Sequence, residues 1–185
     1  MAVTKTVATD DIRRAYDLGL RHFGESRLQE AAPKIEALPD DVVWHFVGNL
    51  QTNKAKKIGS LFDIVHTLSK VSQLQEMAKA GLEIEGLVEV NVADELQKAG
   101  LSPERVDEFV EELIHFPQVH FCGLMTIGPV LDDAEAMRPY FKALRQANER
   151  LGGKWLSMGM SGDFDVAIQE GATHIRVGTA LFGAR

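Results

Sequence analysis

Two short segments near the C-terminus combine a hydroxyl side chain with a glycine. The segment 156–164 alternates apolar and small residues and breaks at Ser161-Gly162, and a later apolar run ends at Gly178-Thr179. A hydroxyl can bind a phosphate oxygen, and a glycine lets backbone N–H groups approach an anion closely. A single Ser-Gly-Asp at a strand-to-helix junction is more often a helix N-cap. The pair of such ends, rather than either one, therefore predicts a phosphate site.

Lys5 and Arg176 could add a nucleophile and a fixed cation to that site. Lys5 follows the first apolar run, where the pattern alone favours a solvent-facing strand end, and Arg176 lies two residues before Gly178. At the mouth of a closed barrel, however, a lysine amine can attack an aldehyde. The first and last strands of such a barrel are neighbours, so these residues would share one face. An amine, a guanidinium and a phosphate cradle together suggest pyridoxal 5′-phosphate.

The elements that position these residues must bring both ends of the chain to one place. Short apolar runs alternate with helical segments, and there are eight of them: 2–4, 21–24, 43–47, 64–68, 86–90, 121–126, 155–160 and 174–178. Strand followed by helix, repeated, predicts parallel strands with helical crossovers. Eight repeats favour a closed (β/α)8 TIM barrel over a doubly wound sheet, and no G-x-G-x-x-G follows the first strand. Such barrels typically have ~250 residues, so we expect an incomplete outer ring of helices here.

The segments between the runs have the spacing of amphipathic helices. Ser102-Pro103 is typical of a helix start. The stripe that follows is apolar at helical spacing and is expected to be buried; it comprises Val106, Phe109, Val110, Leu113 and Ile114. Asp10-Asp11 predicts another start, because the helix dipole favours acids there. Pro139 is expected to start or kink a third helix.

Composition limits the classes of function. The 185 residues are 45% hydrophobic and 25% charged, as expected for one soluble globular domain spanning 1–185. The net charge of −7 disfavours broad binding to nucleic acid or to a membrane surface. The single cysteine, Cys122, cannot form an internal disulfide, and no apolar run reaches the ~18 residues of a membrane span, so we expect a cytoplasmic protein. His45 and His66 are interpreted as core residues, and no spacing suggests a metal site.

Six motifs carry a family resemblance over nearly the whole chain. In order they are "AVTKT", "WHFVGNLQTNK", "GLMTIGP", "RPYF", "LSMGMSGDF" and "GATHIRVGTALFGAR". They resemble the pyridoxal phosphate homeostasis proteins, which have the barrel of the alanine racemase N-terminal domain. The resemblance implies that Lys5 holds pyridoxal 5′-phosphate as a Schiff base and that Arg176 faces the pyridine nitrogen. It also implies that the phosphate is bound by Ser161, Gly178 and Thr179.

The resemblance further implies the role of the protein. A guanidinium stays protonated and keeps the pyridine nitrogen from acquiring a proton, which makes the ring a weak electron sink. Family members bind the cofactor without established turnover, and the implied role is to buffer it or deliver it to apo-enzymes. We expect a monomer, because this sequence lacks the domain that makes racemases dimeric. Where the family often has Gly-Glu-Asn, this chain has Gly-Glu-Ser, so the Ser26 hydroxyl would replace an amide near the ring. Asn49 stands where many members have histidine, and relatives usually carry a helix before the first strand.

Two other functions remain open from the residues. An amino-acid racemase needs a second acid or base, which racemases of this fold take from a tyrosine of an additional domain in a partner subunit. Tyr16 and Tyr140 are predicted on outer helices, and Cys122 is expected to be a small core residue. A regulatory module that binds another protein is the third reading. Lys98, matched by a lysine in relatives, would then take part in cofactor hand-off, although a lysine at that place is usually solvated.

Overall fold

The computed structural model describes residues 1–95 and 97–183 and contains an eight-stranded parallel sheet. The strands are β1 Ala2–Val3, β2 His22–Glu25, β3 Val43–Phe46, β4 Ile64–Leu68, β5 Ile84–Glu89, β6 Val119–Met125, β7 Trp155–Met160 and β8 His174–Arg176. They pair in sequence order. The sheet closes through a parallel bridge between Ala2 and Val177, and the Val3 N–H donates to the Val177 carbonyl at 2.8 Å. The predicted (β/α)8 barrel is therefore confirmed.

The strands are joined by helices, with one further helix after β8. They are α1 Thr9–Asp17, α2 Leu28–Ala37, α3 Ala55–Gly59, α4 Val71–Lys79, α5 Val106–Glu112, α6 Arg138–Arg150, α7 Phe164–Gln169 and α8 Thr179–Phe182. Short 3-10 turns add Thr52–Lys54, Pro103–Arg105, Leu113–His115 and Ala134–Met137. Pro139 lies in the first turn of α6, where its missing N–H costs nothing, so it stands at the start of this helix, as one of the two expectations had it.

The predicted stripe around α5 is right except that Val110 is only half-buried against the core and its last residue is exposed. Val106, Phe109 and Leu113 are buried, whereas Ile114 is 79% exposed, so the prediction that Ile114 is buried is wrong. The cause is local, because the chain tightens into a 3-10 turn at Leu113–His115, and three residues per turn carry the next side chain off the apolar face. Ser102 does stand before the helical segment, but its side chain makes no capping hydrogen bond.

The strand bounds differ from the sequence prediction at β5 and β6. Both begin two residues earlier than the apolar runs, since Ile84 pairs with Val119 and Glu85 with His120. Polar side chains such as Glu85 and His120 interrupt the apolar run without interrupting the backbone pairing. Because all eight strands are parallel, their C-terminal ends form one rim of the barrel, where binding sites of this fold are built.

The outer ring of helices is open between α1 and α8. Leu18, after α1, is 84% exposed and Leu181, in α8, is 53% exposed. A surface cavity of about 640 Å³ lies between these two helices. The expected gap in the ring thus lies beside β1 and β8, on the outer side of the barrel. Within the described ranges, no helix has the length and apolarity that crossing a bilayer requires.

Candidate functional site

A cavity of about 520 Å³ lies at the C-terminal rim of the barrel. All six residues that the sequence singled out line it, and they are Lys5, Ser26, Ser161, Arg176, Gly178 and Thr179. The remaining lining is largely apolar and comprises Val3, Thr6, Val47, Ile127, Met160 and Gly162. Closure between β1 and β8 brings the two ends of the chain together here. The volume is in the range of small-molecule sites.

Lys5 lies in the turn between β1 and α1, and the residue before it is held by a buried ion pair. Glu25, at the end of β2, accepts from the Lys34 amine at 2.7 Å and from the Thr4 hydroxyl at 2.7 Å. The Lys34 amine also donates to the Thr4 carbonyl at 2.8 Å. Thr4 and Glu25 are fully buried and Lys34 nearly so. This cluster fixes the backbone from which the Lys5 side chain reaches the cavity.

The other side of the same turn is held from α2. Thr6 has a φ of +62°, a left-handed conformation that is rare outside glycine. Its N–H donates to the Glu30 carboxylate at 3.0 Å, and the Val7 N–H donates to the Thr4 carbonyl at 2.9 Å. Contacts from α2 therefore hold the turn on both sides of Lys5.

The loops after β7 and β8 supply the hydroxyl and glycine side of the cavity. The Asp163 carboxylate accepts from the Met160 N–H at 2.6 Å, and the Asp163 N–H donates to the Met160 carbonyl at 3.1 Å. This tight turn presents Ser161 and Gly162 to the cavity. The Ser161 hydroxyl oxygen accepts from the Ala180 N–H at 3.4 Å, which connects the two loops. A Cβ at Gly162 would meet no atom within 4 Å, so the space beside this backbone is open.

Arg176, the last residue of β8, is 6% exposed and is held by two acceptors. One guanidinium nitrogen donates to the Ser157 hydroxyl at 2.8 Å and another to the Thr126 carbonyl at 2.7 Å. Burial lowers the Arg176 pKa to about 10, although Asp163 and Glu89 oppose this shift, so the side chain stays charged at neutral pH. Burial raises the pKa of Glu89 to about 7 against the effect of Arg176.

Sequence reasoning missed the residues that support the cavity. Thr126, Ser157 and Glu89 surround Arg176, and none was singled out beforehand. Ser157 carried a usable signal, because strand periodicity places residues 157, 159 and 161 on one face. The Glu25–Lys34 pair joins the end of a strand to a helix residue nine positions later, and this spacing is not a recognisable sequence motif.

The residues considered for other functions lie elsewhere. The Tyr16 hydroxyl donates to Asp41 at 2.6 Å, and neither Tyr16 nor Tyr140 lines the cavity. Cys122 is buried and donates to the Glu85 carboxylate, and burial raises its pKa to about 12. Lys98 is not simply solvated, as the sequence suggested, because its amine pairs with Glu95 at 2.8 Å and donates to the Gly128 carbonyl at 2.9 Å. It thereby joins the loops after β5 and β6.

Comparison with known proteins matches the chain over its full length. The family model described as the alanine racemase N-terminal domain matches residues 1–185. The pyridoxal phosphate homeostasis protein of Aquifex aeolicus is 43% identical over 196 residues, covering 100% of this chain and 86% of that protein. The protein of the same name from Synechocystis sp. is 40% identical over 197 residues, covering 100% and 90%.

Solved structures share the barrel. PipY of Synechococcus elongatus with pyridoxal phosphate bound has a TM-score of 0.89 and 36% identity, covering 99% of this chain and 91% of that one. An alanine racemase of Bartonella henselae has a TM-score of 0.76 at 16% identity, covering 96% of this chain and 50% of that one. At that identity the racemase demonstrates a common fold and nothing further.

Proposed function

Because this chain belongs to the pyridoxal phosphate homeostasis proteins of the alanine racemase N-terminal domain family, we propose that it binds pyridoxal 5′-phosphate and serves intracellular homeostasis of that cofactor. The observation that carries the proposal is one cavity that collects an amine, a buried guanidinium and two hydroxyl–glycine loop ends. Each of these groups can bind a different part of the cofactor. The structure of the relative PipY with bound pyridoxal 5′-phosphate (PLP) supports the same class of ligand.

The residues fit the cofactor in chemical type. Lys5 offers an amine to an aldehyde, and condensation of the two with loss of water would give the Schiff base. Ser161 and Thr179 offer hydroxyls to a phosphate, and the open space beside Gly162 gives an anion access to the backbone. Ser26 and the apolar walls would contact the ring. When bound, the cofactor supplies a reactive aldehyde conjugated to an electron-withdrawing ring.

Arg176 agrees with a carrier, because it would leave the cofactor ring a weak electron sink, which disfavours turnover without excluding it. A guanidinium has only donors, so it can hydrogen-bond an unprotonated ring nitrogen but cannot share a proton with a protonated one. An unprotonated ring withdraws electrons weakly. The proposal therefore includes cofactor buffering or delivery without substrate turnover, and it treats PLP-dependent apo-enzymes as the recipients. Residues 1–185 would act as one cytoplasmic, monomeric binding unit.

A transfer experiment tests this function. The protein is loaded with pyridoxal 5′-phosphate, freed of excess cofactor and mixed with a cofactor-free aminotransferase. We expect recovery of aminotransferase activity, and no such recovery after the same treatment of Lys5→Ala. The loaded protein is also incubated with single-enantiomer amino acids in deuterated water. Rapid exchange of the α-hydrogen would contradict the carrier proposal and favour a racemase.

A further inference from the structure

A continuous column of polar side chains crosses the interior of the barrel. His22 Nδ1 lies 2.9 Å from His45 Nε2, and His45 Nδ1 lies 2.9 Å from His66 Nε2. His66 Nδ1 lies 2.9 Å from the Ser157 hydroxyl, which also contacts Arg176 at 2.8 Å. His22 is the first residue of β2 and Arg176 the last of β8, so the column joins the two rims of the barrel.

This column occupies space that is usually apolar. The interior of a (β/α)8 barrel is generally filled by layers of branched aliphatic side chains. Here His45, His66 and Ser157 are completely buried. A buried polar group without a partner is costly, whereas both ring nitrogens of His45 and His66 have a partner in the column. The arrangement is therefore a satisfied network that ends at a residue of the candidate site.

The available donors and acceptors determine which atom donates in each hydrogen bond of the column. Arg176 can only donate, so the Ser157 oxygen accepts from it. If the Ser157 hydroxyl then donates to His66 Nδ1, the His66 Nε2–H donates to His45 Nδ1, and the His45 Nε2–H donates to His22 Nδ1. In the opposite direction, Ser157 would accept from both neighbours, and its own proton would have no acceptor among the residues the structure describes. Arg176 therefore selects the Nε2–H tautomer along the column.

Burial, together with nearby positive charge, keeps the column neutral. Burial is the largest cause of the lowered pKa of His66, and the positive charge of Arg176 lowers it further. The His174 ring lies 5.8 Å from the rings of both His45 and His66. Burial is the largest cause of the lowered pKa of His45, which falls to about 2. At the exposed end of the column, burial and the nearby N-terminal amine lower the pKa of His22, and the carboxylate of Asp63 opposes this shift. The column cannot serve as a proton path to the cavity, because its upper end is a guanidinium that retains its protons.

We propose that His22, His45 and His66 are positioning residues, which orient the Ser157 hydroxyl as an acceptor and thereby hold Arg176 toward the cavity. The inference rests on the proposed function only in that pyridoxal 5′-phosphate is the ligand that Arg176 meets. Arg176 has two described anchors, Ser157 and the Thr126 carbonyl. Loss of the acceptor in the column loosens the first of them and leaves the Lys5 end of the cavity unchanged.

Nitrogen NMR of the ligand-free protein tests the direction of the column. Long-range correlations between ring protons and ring nitrogens distinguish the two neutral tautomers and the imidazolium ion. At about pH 7 we expect His45 and His66 to be neutral with the proton on Nε2. A proton on Nδ1 of His66, or a charged ring at either position, would overturn the inference. This result is independent of any bound cofactor.

A pair of variants tests the positioning role. His66→Leu removes the acceptor, whereas His66→Asn can place an amide oxygen where Nδ1 was. We expect His66→Leu to weaken pyridoxal 5′-phosphate binding about tenfold, the equivalent of one lost hydrogen bond, and to shift the visible spectrum of the bound cofactor. His66→Asn should restore both the affinity for the cofactor and its visible spectrum. The exposed His115→Leu is the matched control and should match the unmodified protein.

The possible outcomes separate this inference from the proposed function. If both His66 variants bind like the unmodified protein, or if both are equally weak, the acceptor does not position Arg176 and the inference fails. If His66→Leu does not fold, the inference is tested by the His45 and His66 tautomers that NMR shows in the unmodified protein. If the unmodified protein does not bind pyridoxal 5′-phosphate at all, the proposed function fails, while the NMR result still tests the column.

Discussion

Acidification should destabilise the fold through its buried neutral histidines. An unfolded histidine titrates near 6.5, whereas burial, with His174 and His22, lowers the pKa of His45 to about 2. The folded pKa lies below the unfolded one, so His45 contributes stability above pH 6.5 that is lost as the pH falls toward 2. His66 shifts in the same direction for the same main reason. The perturbation is a change from about pH 8 to about pH 5.

The magnitude follows from linkage. Each pKa unit corresponds to about 1.4 kcal/mol, so a histidine that stays neutral in the fold loses about 2 kcal/mol of stability on acidification to pH 5. His45 and His66 together would lose about 4 kcal/mol. Glu89 acts oppositely, since its pKa is raised from 4.5 to about 7 and its stabilisation is present at low pH and lost as the pH rises. Over the same change from pH 8 to pH 5, Glu89 therefore adds about 2.5 kcal/mol of stability. His174, whose pKa burial lowers to about 4, adds a loss of about 1 kcal/mol after allowance for its partial exposure, so the net loss is about 2.5 kcal/mol.

Urea unfolding of the ligand-free protein at a series of pH values measures this effect. Glu89→Gln is the matched variant, because it removes the opposing titration and should raise the loss between pH 8 and pH 5 to about 4 kcal/mol or more. A free energy of unfolding that is constant or higher at pH 5 in Glu89→Gln would refute the reasoning. So would an identical pH dependence in the two proteins.

Three substitutions test the supports of the cavity. Gly48→Ala would drive its Cβ into the Ser26 carbonyl oxygen, so we expect equilibrium dialysis to give about tenfold weaker cofactor binding; unchanged binding would contradict the placement of Ser26. Lys34→Met leaves Glu25 buried and uncompensated, and urea unfolding should show a loss of about 3–5 kcal/mol, whereas a loss under about 1 kcal/mol would count against the buried pair. Ser161→Ala should weaken binding of pyridoxal 5′-phosphate about tenfold but leave pyridoxal binding nearly unchanged, and equal losses for both ligands would exclude a phosphate contact.

Local pattern predicted the barrel and the two hydroxyl–glycine strand ends, whereas Ser26 was predicted only from the family resemblance. Alternation of apolar runs and helical segments is local, and parallel strands place their ends on one rim. Lys5, Ser161 and Thr179 could therefore be assigned to one face, although their roles toward the cofactor stay predictions. The 3-10 turn that exposes Ile114 has no comparable signal, because it depends on how the chain leaves α5 for β6.

The histidine column could not be predicted from the sequence. His45 and His66 each look like an ordinary core residue of a separate strand, and only the stagger of the closed barrel aligns them. Ser157 completes the column 91 residues after His66. The same holds for Lys98, whose contact with the Gly128 carbonyl depends on two loops that meet only in the folded protein.

Reduction of the cofactor-loaded protein with borohydride, followed by peptide mapping, tests the central claim most directly. The account predicts one phosphopyridoxyl group per chain, attached to Lys5, and its loss in Lys5→Ala. A stable adduct on another lysine, or an unchanged yield in Lys5→Ala, would contradict the assignment of this cavity as the cofactor site.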